Sequence, residues 1–338
     1  MRRSGSATPR STTSSVMRSS SAPRFWRGGR GAPSLRKPHV VPGPPGPPAS
    51  SCALVITVAL LVVAFVWGSS AAGAEYKGPL IDAHSHLPNA GAIDAYVDAM
   101  KRHNVAKVVL LGVGGVQKDD PARIAAAART YGDRVIAALP LPDPTDGGAA
   151  ARLDAELARS TARAIGEVHL RQVGRRTIDR DPGDPAFGKI LDVAARRGVP
   201  VVVHYELTDV AATALDRALA AHRKATLVLA HAGEGPPRRV EGLLTRNPNL
   251  VVDLSGMHFQ RKPALASETG PLDPAWKALI EAFPDRFLMG VDVWAPRLFE
   301  PAMLDRLFTW TRRVLGELRP DVAERVAYRN AAALFRVE

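Results

Sequence analysis

From residue 79 onward the chain alternates short apolar, β-branched runs with longer stretches of helical period, eight times over. The runs read PLIDAHSHL, KVVLLGV, RVIAALPLP, ARAIGEVHL, PVVVHYE, ATLVLAHAG, LVVDLSGM and RFLMGVDVW. Amphipathic stretches follow them, such as GAIDAYVDAMKRHNV, FGKILDVAARRGV and, after the eighth run, PAMLDRLFTWTRRVLGEL. Runs apolar on both faces suit parallel strands covered by helices on each side. Eight such units in about 260 residues have the size of an α/β (β/α)8 barrel. An open doubly wound sheet is the runner-up, but it would carry a Gly-rich phosphate turn after its first strand. HSHLPNAG is no such turn.

The formal charge of +12 is unevenly placed. Residues 1–51 hold Arg2, Arg3, Arg10, Arg18, Arg24, Arg27, Arg30, Arg36 and Lys37 with no acid, and residues 52–74 hold no charge. Residues 75–338 therefore carry only +3. A nearly neutral domain without basic-aromatic interleaving does not suit a nucleic-acid partner, which also disfavours a metal-dependent nuclease. The Ser, Pro, Gly and Arg-rich stretch 1–51 cannot bury enough apolar surface to order itself and is expected to be disordered. A translation start downstream of Met1 would explain its length.

The run CALVITVALLVVAFVW, Cys52 to Trp67, precedes a small-residue stretch with Ala72 and Ala74 in an A-x-A arrangement. Basic, apolar and small-residue segments in that order make a secretory signal over 52–74. An uncleaved membrane anchor is the alternative. Either way residues 75–338 are expected outside the cytoplasm, periplasmic or extracellular, with no membrane contact beyond the signal or anchor. Cys52 is the only cysteine, so the exported domain needs no disulfide and has neither thiolate chemistry nor a cysteine-zinc site.

In a (β/α)8 barrel, chemistry gathers at the carboxyl ends of the strands. The first run ends in His84 and His86, which share a side because strand side chains alternate. The fourth is expected to end at Glu167, the fifth at His204, the sixth at His231 and the eighth at Asp292. Four imidazoles and two carboxylates would thus meet at one mouth. That donor set, lacking thiolate, suits zinc, with manganese, iron or nickel also compatible. Without a cation the buried carboxylates would be desolvated and the imidazoles poorly satisfied.

IDAHSHL, PVVVHYE, LVLAHAG, RFLMGVD and the closing RNAAALF resemble the amidohydrolase superfamily, and most of all its amidohydrolase-related metal-dependent hydrolases, across residues 79–335. The resemblance implies His84, His86 and His204 as metal ligands and Asp292 as both ligand and proton acceptor. It implies that His231 either binds a second ion or polarises the substrate. The fourth strand offers Glu167 rather than lysine, so no carboxylated lysine is implied. The eighth run reads GVD where the family commonly has G-S-D, and a glutamate on the fourth strand is a ligand only in some branches. If Glu167 bridges, His84, His86 and Asp292 hold one ion while His204 and His231 hold another. Otherwise His84, His86, His204 and Asp292 hold a single ion. The expectation is one firmly bound metal, with Glu167 close enough to recruit a second.

The expected reaction is hydrolysis of a carboxylic ester, lactone or amide in a small-molecule substrate. Asp292 would take a proton from water activated by the metal. Two alternatives stay open: non-oxidative decarboxylation of an aromatic or unsaturated acid, and a non-catalytic surface metal-binding role. The loops after the fourth and seventh runs carry Arg171, Arg175, Arg176, Arg180, His258, Arg261 and Lys262. Of these, Arg171 and Arg261 are candidates to clamp a substrate anion. His169, two residues beyond Glu167, is a candidate neighbour of the site. A homodimer is compatible with the sequence.

Overall fold

The computed structural model of the chain describes Gly43, residues 75–113 and residues 120–337. The expected tail (1–51, Gly43 aside) and the signal or anchor segment (52–74) lie outside the described residues. Among the described residues no helix is long and apolar enough to cross a membrane.

Eight parallel strands, with an extra two-residue strand, form one sheet. They are β1 (Leu80–Ser85), β2 (Val105–Leu110), β3 (Val135–Leu139), β4 (Ala164–Gln172), β5 (Ile178–Asp179), β6 (Val201–Tyr205), β7 (Leu227–Leu229), β8 (Leu250–Asp253) and β9 (Phe287–Leu288). The order is β1-β2-β3-β4-β6-β7-β8-β9, and β5 pairs antiparallel with β4. Backbone hydrogen bonds close the circle between β1 and the segment after β9. Ala83 N donates to Met289 O at 3.0 Å, Asp292 N to His84 O at 2.8 Å, and His86 N to Val293 O at 2.9 Å. The barrel expected from the eightfold alternation is therefore the fold.

The helices are α1 (Ala92–Arg102), α2 (Asp120–Thr130), α3 (Ala149–Arg159), α4 (Pro185–Arg197), α5 (Asp209–Ala221), α6 (Pro237–Arg246), α7 (Pro274–Ala282), α8 (Pro301–Gly316), α9 (Pro320–Glu324) and α10 (Asn330–Phe335). Several begin as their sequences direct. Asp184, Thr208 and Asp273 cap α4, α5 and α7 by accepting backbone N–H bonds, which satisfies donors with no partner inside the helix. Their apolar faces, through residues such as Tyr96, Phe187, Leu215 and Leu304, pack against the outward strand faces. A smaller cluster fills the barrel itself with Ile81, Val109, Ile136, Val202, Val228 and Leu288. From α10, Ala331 and Phe335 join that cluster, so the closing RNAAALF segment plugs the barrel.

Three strand ends differ from the sequence expectation. β4 does not stop at Glu167 but runs on to Gln172, because β5 pairs with its last residues through Arg171–Asp179 and Gln172–Ile178. β7 stops at Leu229 and β9 at Leu288, so His231 and Asp292 stand in the turns beyond them. Both have a left-handed backbone, with φ of 55° at His231 and 57° at Asp292. Non-glycine residues hold that conformation at a cost of roughly 1–3 kcal/mol each, and such residues cluster at functional sites.

Candidate metal centre

His84, His86, Glu167, His204, His231 and Asp292 all meet at the carboxyl mouth of the barrel, each no more than 4% exposed. Their hydrogen bonds fix which ring nitrogen carries the proton. The Nδ1 of His84 donates to Asp253 Oδ2 at 2.6 Å, and the Nδ1 of His86 donates to the Leu111 carbonyl at 2.8 Å. In the neutral rings both Nε2 atoms are bare, and they face each other at 3.1 Å. Two lone pairs at that separation repel unless a positive charge joins them. Likewise His231 donates from Nδ1 to the Ser255 carbonyl at 3.0 Å, which turns its bare Nε2 toward Glu167 Oε1 at 3.1 Å. His204 donates from Nδ1 to Glu167 Oε1 at 2.9 Å, and its Nε2 has no partner among the described residues.

These converging lone pairs and carboxylates fit a divalent cation. Liganding atoms of His84, His86 and Glu167 come within 4.8 Å of one another, as do those of Glu167, His204 and His231. Both groups share Glu167, so that carboxylate is the one that would be common to two ions if both groups were filled. Asp292 stands slightly apart, with Oδ1 3.5 Å from His86 Nε2 and Oδ2 3.8 Å from His231 Nδ1. The reason is Arg261, whose Nη1 pairs closely with Asp292 Oδ2 while Nη2 reaches Glu234 at 3.4 Å.

Electrostatics point the same way. Burial opposes ionisation of Glu167, yet the imidazoles of His169, His204, His231 and His84 gathered around it outweigh that and hold the carboxyl well below the usual range. Burial likewise opposes ionisation of Asp292, and His231, His86, His84 and Arg261 together overcome it, so its pKa is lowered. Burial works against a charged His84, but the carboxylates of Asp253 and Glu167 prevail and raise its pKa well above normal. The centre therefore stabilises positive charge at the point where His84 and His86 meet.

The site opens into a cavity of about 230 Å³. His169 lies beside Glu167, with Nε2 at 3.2 Å from Oε2 and its ring stacked on His204 at 4.8 Å. Arg261 lines the cavity, as expected of a candidate at the mouth, but its partner is Asp292. Arg171 does not line it. Its guanidinium pairs with Asp179 at 3.2 Å and donates to the Glu206 carbonyl at 3.4 Å, held there by the β4–β5 hairpin. Arg175 and Arg176, from the tip of the same loop, do line it, as does Trp294.

Sequence reasoning passed over Asp253 and Ser255. Asp253 accepts Ser255 N at 2.7 Å and Ser255 Oγ at 2.9 Å as well as His84, so it orients the ring. Its signal was present, because LVVD ends the seventh run in a carboxylate just as other runs end in histidine. The backbone acceptors Leu111 O and Ser255 O left no such signal.

Comparison with known proteins places this arrangement. A family model described as Amidohydrolase matches residues 81–337. No curated protein gives a significant match. Solved structures share the fold at low identity. An amidohydrolase from Burkholderia multivorans with bound HEPES is 17% identical at a TM-score of 0.55, covering 77% of this chain and 100% of that one. A dihydroxybenzoic acid decarboxylase from Polaromonas sp. JS666, with bound manganese and 2-nitroresorcinol, is 15% identical at 0.53, covering 77% and 97%. A 4-oxalomesaconate hydratase from Rhodopseudomonas palustris is 13% identical at 0.53, covering 76% and 95%. With its barrel, its His and Glu cluster and a family match over nearly the whole described domain, the chain belongs to the amidohydrolase family and is a metal-dependent enzyme of that superfamily.

Proposed function

We propose that the protein is an exported metal-dependent hydrolase that cleaves a carboxylic ester, lactone or amide of a small molecule. The observation that carries this reading is Asp292, a buried, ionised carboxylate turned toward His86 and His231 at the floor of the cavity. Zinc suits the imidazole and carboxylate donors best, while manganese, iron and nickel suit them too. When bound, the cation supplies Lewis acidity and lowers the pKa of water toward about 7. His84, His86, His204 and Asp292, with Glu167 and His231, are the residues that would hold it.

Asp292 receives the proton of the attacking water at Oδ1, since Arg261 occupies Oδ2, and then delivers it to the leaving group. Arg261 keeps that carboxylate ionised and fixes its orientation. His231 is assigned here to the ligand set. Its proton sits on Nδ1, against Ser255 O, so its Nε2 offers a lone pair rather than a donor to a developing oxyanion.

Non-oxidative decarboxylation is the second reading, supported by the cationic mouth of Arg175 and Arg176 beside Trp294. It needs an acid that protonates carbon, whereas Asp292 is held as a base. Metal analysis of the purified protein, followed by one panel of lactones, esters, amides and aromatic acids, tests both. Hydrolysis supports the first reading. Carbon dioxide release without hydrolysis replaces it with the second. Metal binding with no change in the spectrum of the loaded protein on adding acetohydroxamate would favour a non-catalytic role.

A further inference from the structure

A second cavity of about 310 Å³ adjoins the first and shares Arg175, Arg261 and Trp294 with it. Its remaining walls include His258, Gln260 and Arg297. Arg261 is neutralised by Asp292 and Glu234, but among the described residues neither Arg175 nor Arg297 has a carboxylate within ion-pair distance. The cavity therefore carries uncompensated positive charge.

His258 adds an independent observation. It is only 3% exposed, and its Nδ1 accepts the Gln260 N–H at 3.2 Å. The neutral ring must then carry its hydrogen on Nε2, and that buried donor has no acceptor among the described residues. Buried donors are almost always satisfied, so an oxygen from outside the protein is the missing partner. Between the two cavities stands Trp294, a large apolar side chain left 41% exposed. Its indole face suits a flat apolar group.

We propose that Arg175, Arg297 and the orphan His258 donor form a remote anion subsite, so that the substrate carries two anionic or oxyanion-forming groups joined by a flat apolar spacer lying along Trp294. This deepens the hydrolase reading and rests on it for placing the reacting bond in the first cavity. Arginine forks match carboxylate geometry, and charge-assisted hydrogen bonds are the strong ones.

The test is direct binding of benzoate, isophthalate and terephthalate to the full-length, Mn²⁺-loaded protein by calorimetry, with no turnover required. At least one dicarboxylate should bind about tenfold or more tightly than benzoate, the advantage of one charge-assisted contact. Arg297→Gln should remove most of that advantage and leave benzoate affinity unchanged, and Arg297→Glu should make the dicarboxylate the weaker ligand. Arg176→Gln, at a residue lining the first cavity alone, should leave the ratio intact. Equal affinities in the unsubstituted protein, or a ratio that survives Arg297→Glu or is lost in Arg176→Gln, would overturn the subsite. A protein that prefers dicarboxylates yet releases carbon dioxide keeps the subsite and loses the hydrolase reading, and one that hydrolyses esters without that preference does the reverse.

Discussion

Asp253 Oδ2 lies 2.6 Å from Nδ1 of His84, on a ring whose other nitrogen lies 3.1 Å from Nε2 of His86. The carboxylate thus sets the tautomer that leaves His84 Nε2 available as a candidate ligand. Asp253→Ala should weaken metal binding roughly 10–100-fold, as expected when a carboxylate behind a liganding histidine is lost. Competition with a chelator measures it. An unchanged affinity would mean that Asp253 serves only to hold Ser255.

In the proposed mechanism Asp292 takes part through its charge and position. Asp292→Asn keeps its size, so the barrel should retain its circular dichroism and melting point. Turnover on any hydrolysed substrate should fall about 10²–10⁴-fold, the range for a removed general base. Near-normal turnover in this variant would exclude the proposed proton route.

Glu167 belongs to both groups of candidate ligands, so its loss should change the number of ions held and not merely their affinity. Glu167→Gln keeps the shape but removes the charge that two ions would share. In plasma emission spectrometry the metal content per chain should fall relative to the unsubstituted protein. Equal content would place Glu167 outside the ligand set.

Gly166 precedes Glu167 with φ of +118°, and an added Cβ there would collide with the Val202 carbonyl oxygen of the neighbouring strand. Backbone cannot yield as a side-chain tip can. Gly166→Ala should cost about 2–4 kcal/mol through strain and overpacking, seen as a lower thermal midpoint. A midpoint equal to that of the unsubstituted protein would show that β4 can shift at low cost.

His258 gives a pH dependence. Burial pushes its pKa down to about 4, against about 6.5 for an unfolded histidine. Between those values the unfolded chain binds more protons than the native one, so stability falls as pH drops from about 6.5 toward about 4. The full difference is roughly 3 kcal/mol. In urea unfolding of chelator-treated protein, where metal loss cannot contribute, His258→Gln should flatten this acid-side decline. An identical slope in both proteins would contradict the assignment.

Much of this was legible in one dimension. Runs apolar on both faces, recurring at the spacing of βα units, leave a parallel barrel as the economical way to cover every strand. Histidines and carboxylates that recur at the ends of those runs mark its mouth before any coordinate is known. Strand ends were less legible, because β4 owes its last residues to pairing with the two-residue strand β5, which begins six residues downstream and has no apolar run of its own.

By itself, then, the sequence determined the barrel and the residues from which a cation site is drawn, since alternation and burial are local properties of a chain. Only the tertiary structure decided how those residues divide their work. It gave Asp253 to His84, drew Asp292 toward Arg261, made Glu167 the shared centre, and turned Arg171 away while leaving Arg175 and Arg176 at the mouth. Each choice depends on distances between segments as many as 169 residues apart, and hydrogen bonds act over only about 3 Å, so the chain must close before any of them can be made.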